Sequence, residues 1–91
     1  ALPHARSPAV RRTVGAFATL RPAVPFDAID GAPVSLVFFL AGPEDARAQH
    51  IRLLSRVSRL MSDRDVRQRL ADAAGPDDVL ATIHAAETAL V

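Results

Sequence analysis

Val34-Ser35-Leu36-Val37-Phe38-Phe39-Leu40 is a nearly continuous apolar run rich in β-branched and aromatic residues. A strand with one solvated face alternates apolar and polar residues, so this run reads as a central strand covered on both faces. Asp30-Gly31, followed by Pro33, marks a tight turn just before it. Further back, Arg21 to Pro33 is a connection punctuated by prolines, and Val14 to Leu20 alternates larger and smaller apolar residues as a second strand does. Residues 1–12, which contain Pro3 and Pro8, read as loop.

Beyond the central run, Gly42-Pro43-Glu44-Asp45 carries the proline and acids typical of a helix start. A helix over 45–61 would gather His50, Ile51, Leu53, Leu54, Val57, Leu60 and Met61 on one side, with Arg52, Arg56 and Arg59 opposite. Ser62-x-x-Asp65 reads as a capping box for a second helix with Val66, Leu70 and Ala73 inward, closed by Gly75. Pro76-Asp77-Asp78 opens a third helix whose apolar face is Val79, Ile83, Ala86 and Leu90. The class is α/β. Two strands are marginal alone, so the expectation is that more sheet comes from residues outside these 91 or from a second copy in a homo-oligomer.

A chain of 91 residues is one small domain or a piece of one, and 49% hydrophobic residues suffice for a core. With no cysteine, disulfides and thiolate metal sites are excluded. The longest apolar run, Leu36 to Ala41, falls far short of the ~18 residues of a membrane span. No apolar signal-peptide core follows the N-terminus, so the cytoplasm is the expected location and no direct membrane insertion is expected. The 11 basic residues, all arginine, are scattered and offset by 10 acids. That distribution fits solvated faces better than a nucleic-acid stripe, so no nucleic-acid partner is expected.

The reactive candidates are the three histidines. The four glycines are isolated, which removes a phosphate-binding loop or dinucleotide fingerprint, and no histidine pair has helical zinc spacing. No cofactor or metal is expected. His4 follows Pro3, and Arg6 lies two residues on; in an extended segment both side chains point the same way. A guanidinium beside an imidazole suits an imidazole that acquires a phosphoryl group. Taken alone, however, the pattern favours a solvated histidine in a terminal loop. His50 lies on the apolar side of its helix near the N-terminal end. Such a histidine is ordinarily a satisfied core residue, and the functional alternative is a second imidazole facing the first. His84 reads as a solvated residue without a role.

Four segments change these odds together. Ala1-Leu2-Pro3-His4-Ala5-Arg6 resembles the A-x-P-H segment around the phosphorylated histidine of phosphotransferase-system enzyme IIA domains of type 2, the mannitol, fructose and nitrogen-regulatory family. Phe26-Asp27-Ala28-Ile29-Asp30-Gly31-Ala32-Pro33-Val34 resembles the family's F-x-A-x-D-G-x-P-V stretch. Val37-Phe38-Phe39-Leu40-Ala41-Gly42-Pro43 resembles its core strand ending in proline, and Gln49-His50-Ile51-Arg52-Leu53-Leu54 its helix with a second active-site histidine. Order and spacing agree over essentially the whole chain.

The resemblance implies a mixed, twisted sheet sandwiched by helices. It implies a single type 2 IIA domain over residues 1–91, truncated at its N-terminus by about a third of a domain. His4 would accept a phosphoryl group from HPr or its nitrogen-branch paralogue. It would pass the group to an enzyme IIB or hold it as a signal to a regulatory target. His50 and Arg6 would support transfer, with Arg6 and Arg47 on the rim of the docking surface. Family members also include an arginine upstream of the A-x-P-H segment, so Arg6 does not simply inherit its role. The alternative is a non-catalytic IIA-like interaction module, such as one inside a transcriptional regulator.

Overall fold

The computed structural model describes residues 1–25, 27 and 29–89. Three strands, β1 (His4–Ser7), β2 (Val14–Val24) and β3 (Val34–Pro43), precede three helices, α1 (Arg47–Met61), α2 (Arg64–Ala71) and α3 (Pro76–Ala89). The class is α/β, as expected. The chain divides into two compact units, Ala1–Leu54 and Ser55–Val91. Among the described residues no helix is long and apolar enough to cross a membrane.

In the first unit the sheet order is β1-β3-β2, so the apolar run is the central strand. β2 pairs with it antiparallel, Phe17 opposite Phe38 and Gly15 opposite Leu40. β1 pairs parallel on the other edge, His4 opposite Leu40 and Arg6 opposite Gly42. This third strand corrects the reading of residues 1–12 as loop. Pro3 and Pro8 bracket a strand instead of preventing one, because a proline at a strand end forfeits no ladder donor. The carbonyls of Ala1 and Pro3 accept from Phe38 N (2.9 Å) and Leu40 N (3.1 Å), which continues the pairing before His4.

β2 runs on past Leu20 to Val24, and its register shifts between Thr19 and Val24, the stretch that holds Pro22. The Asp30-Gly31 turn forms as expected. Gly31 takes φ +72°, and Asp30 Oδ1 accepts from Ala32 N (3.0 Å). Phe26 and Ala28, both part of the family-like stretch before β3, lie outside the described residues, as does Leu90.

Coverage of β3 on both faces is not what the described residues give. One face holds buried Leu40 and Gly42, with Phe38 edge-to-face on Phe17 at 6.1 Å. On the other, Phe39 is 40% exposed and Val14, beside Ala41, is 47% exposed. A continuous apolar run reports a strand with neighbours on both edges, which β1 and β2 supply; it does not guarantee a layer over each face.

α1 begins at Arg47, two residues later than expected, because Pro43 ends β3 and Glu44-Asp45 form the intervening turn. His50, Val57 and Leu60 are buried, whereas Ile51 is 53% exposed and leaves the inward set. In the second unit the cap of α2 is Asp63, not Ser62. Asp63 Oδ1 accepts from Asp65 N (2.9 Å) and Val66 N (3.4 Å), while the Ser62 hydroxyl donates back to Arg59 O (2.7 Å). A carboxylate at the cap satisfies two otherwise free helix donors. Val66 and Leu70 are buried as expected. Gly75 does not close α2, which ends at Ala71 with Asp72 as its cap. The Gly75 carbonyl instead accepts Val79 N (3.1 Å) at the start of α3.

Candidate active site

His4, Arg6, Thr13, Gly42, Gln49 and His50 all belong to the first unit. His4 opens β1 and is exposed. Its Nδ1 lies 2.8 Å from the carbonyl oxygen of Leu2. A carbonyl only accepts, so Nδ1 carries the proton of this bond, and the neutral ring keeps its lone pair on Nε2. The backbone two residues upstream thus sets which nitrogen is the nucleophile.

His50 comes from the first turn of α1 and is 5% exposed. Its ring centroid is 5.9 Å from that of His4, with the planes inclined at 47°. A tetrahedral group on one ring would come within hydrogen-bonding reach of the other. The helix N-terminus favours negative charge in the same place. The reading of His50 as a satisfied core histidine does not hold: its Nδ1 is buried and has no hydrogen-bond partner among the described residues.

Arg6 projects on the same side of β1 as His4, two residues along. Its Nη1 donates to Glu44 O at 2.8 Å, which ties β1 to the turn that leads into α1. Arg47 is exposed at the first position of α1. His84 belongs to the second unit, exposed on α3.

Gly42 makes the approach of α1 feasible. A Cβ there would sit 3.2 Å from His50 Nδ1 and 3.3 Å from Thr13 Oγ1, tighter than ordinary packing. Thr13 Oγ1 in turn contacts Gln49 Oε1 at 3.4 Å. Gly42, Thr13 and Gln49 gather at this approach, and sequence pattern alone does not single them out. A glycine placed between a central strand and a proline was the one available signal, since a backbone approached by a side chain has no room for Cβ.

Residues 1–86 match the family described as phosphoenolpyruvate-dependent sugar phosphotransferase system, EIIA 2. A nitrogen regulatory protein of Bradyrhizobium diazoefficiens is 41% identical over 70 residues, covering 77% of this chain and 46% of that protein. The nitrogen regulatory protein of Pseudomonas aeruginosa is 41% identical over 73 residues, 80% of this chain and 47% of that one. A fructose-specific EIIA component of Haloferax volcanii is 35% identical over 85 residues, 90% of this chain and 55% of that one. The chain thus spans about half the length of these relatives. The crystal structure of nitrogen regulatory protein IIA-Ntr from Neisseria meningitidis superposes with a TM-score of 0.88 at 38% identity, over 91% of this chain and 57% of that one. With 86 matched residues and a common fold, the chain belongs to the type 2 enzyme IIA family of the phosphotransferase system.

Proposed function

We propose that this protein is a phosphoryl carrier in which His4 Nε2 accepts the group from a phosphorylated HPr-like protein. The observation that carries the proposal is the exposed His4 ring, its Nδ1 proton held by Leu2 O, 5.9 Å from a buried second imidazole. As the Nε2–P bond forms, the donor's N–P bond breaks and its electron pair returns to the donor nitrogen. Each ring keeps its N–H, so no proton has to leave the site. The reaction requires positioning and charge stabilisation more than covalent machinery. His50 donates to the phosphoryl oxygens, and Arg6 supplies a nearby positive charge. No metal or nucleotide enters, because the donor is itself a phosphoprotein.

The acceptor is an enzyme IIB or, in the regulatory branch, no acceptor at all. The nitrogen-regulatory branch is favoured by the two relatives at 41% identity, against 35% for the fructose-specific one. The non-catalytic alternative is disfavoured by the retention of both imidazoles in one site. Incubation with phosphorylated HPr or its paralogue is expected to label His4, and His4→Ala to abolish the label. Acid-labile phosphate on His50 or His84 in that variant would overturn the assignment. Transfer onward to a IIB protein decides between the two branches.

A further inference from the structure

His50 Nδ1 is buried without a partner among the described residues, and such groups are costly and therefore uncommon in folded proteins. A Cβ at Gly42 would lie 3.2 Å from His50 Nδ1 and 3.3 Å from Thr13 Oγ1, so the two polar atoms border the same space. That hydroxyl is only weakly engaged elsewhere, at 3.4 Å from Gln49 Oε1. Thr13 is half-buried and Gln49 exposed, so the Gln49 amide is free to turn over at little cost.

We propose that Thr13 is a positioning residue for His50: its hydroxyl donates to His50 Nδ1 and thereby holds the proton of that ring on Nε2, across the ring from Gly42. The inference rests on the phosphoryl-carrier reading and deepens it.

The chemistry follows from a single hydroxyl proton. While Thr13 spends that proton on Gln49 Oε1, its oxygen can only accept, which favours a proton on His50 Nδ1 and a lone pair on Nε2. A lone pair is the wrong group to face a phosphoryl oxygen. When the Gln49 amide turns over, its NH₂ donates to Thr13 Oγ1, and the hydroxyl proton becomes free for Nδ1. His50 then carries Nε2–H, the donor an anion needs. A phosphoryl group on His4 draws the site into this second arrangement. Three side chains thus couple the charge on His4 to the tautomer of its neighbour, and Gly42 keeps the space between them open.

The test uses the natural full-length protein, phosphorylated HPr as donor, and nitrogen NMR of the His50 ring. Wild type and Thr13→Ser are expected to favour the Nδ1–H tautomer before phosphorylation and the Nε2–H tautomer once His4 is phosphorylated. Thr13→Val, which keeps the shape and loses the hydroxyl, is expected to lose that bias in both states. Its transfer rate should fall by about tenfold, the scale of one lost hydrogen bond. Thr13→Ala is the second hydroxyl-free variant should valine disturb the strand. Tautomer populations in the hydroxyl-free variants identical to wild type would overturn the role of Thr13. Absence of label on wild-type His4 would instead overturn the carrier reading, and the tautomer comparison would still decide Thr13 without it.

Discussion

Gly42 and His50 meet where no side chain has room: a Cβ at position 42 would lie 3.2 Å from His50 Nδ1. Gly42 is also the register partner of Arg6, so one position of β3 stands beside both α1 and the arginine of β1. The Gly42→Ala variant is expected to fold, because the crowded atoms belong to side chains that can shift. Its stability should fall by about 1–3 kcal/mol, the usual cost of overpacking. Phosphoryl transfer should slow more than that loss of stability explains, since His50 and Thr13 are displaced together. A thermal melt alongside a transfer assay separates the two effects. A wild-type transfer rate in the folded variant would remove Gly42 from the site.

His50 should support transfer without carrying the group. The His50→Ala variant is expected to slow acceptance and donation by about 10–1,000-fold, the range for losing one stabilising donor. His84→Ala should behave as wild type, since His84 lies exposed on α3 in the second unit. Unchanged rates in His50→Ala, measured in both directions by rapid quench, would count against its role.

How much of this site could be read from the sequence depended on whether a residue acts through its chemical type or through its place. His4, Arg6 and His50 are titratable or charged, and they sit in segments with family-like spacing, so they stood out. Thr13 is visible only through the three-dimensional approach of α1 to the end of β3, and Gly42 has in the sequence no more than its place before a proline to mark it. In the fold, β3 and its antiparallel partner β2 were legible from apolar pattern. β1 was not, because His4–Ser7 has little strand propensity and its two flanking prolines suggest a loop. Parallel pairing with an already formed edge supplied what local sequence lacked. The α2 cap shifted by one residue for a similar reason: Ser62 and Asp63 both qualify as caps, and the alternative partner of Ser62, Arg59 O, decided between them.

Arg6 is tethered by its donation to Glu44 O and remains exposed, so it can serve an incoming anion with little reorganisation. Charge reversal in Arg6→Glu should lower the transfer rate by roughly 10–100-fold, the scale of a charge-assisted hydrogen bond. Stability should change by about 1 kcal/mol or less, as for other exposed positions. Arg47→Glu, at the start of α1, should show a smaller rate effect of the same sign. Both effects should shrink as salt is raised, because exposed charges are screened over about 10 Å at 0.1 M. A salt-independent loss, or full activity in Arg6→Glu, would take Arg6 out of the docking rim.

The face of the sheet that carries Val37, Phe39 and Ala41 raises a separate question. Phe39 is 40% exposed, and Val14 beside Ala41 is 47% exposed, on strands whose opposite face buries Leu40. An apolar sheet face open to water invites association. Residues 1–91 expressed alone are therefore expected to self-associate or to bind a hydrophobic dye, and to unfold over a broad transition. Phe39→Ser should reduce both dye binding and apparent mass, because Phe39 lies on the face away from His4 and Leu40. The same substitution should leave the strand content measured by circular dichroism largely intact. Light scattering and thermal unfolding of the two proteins decide the matter. A wild-type monomer with one sharp transition would show that these 91 residues cover their own sheet well enough to fold alone.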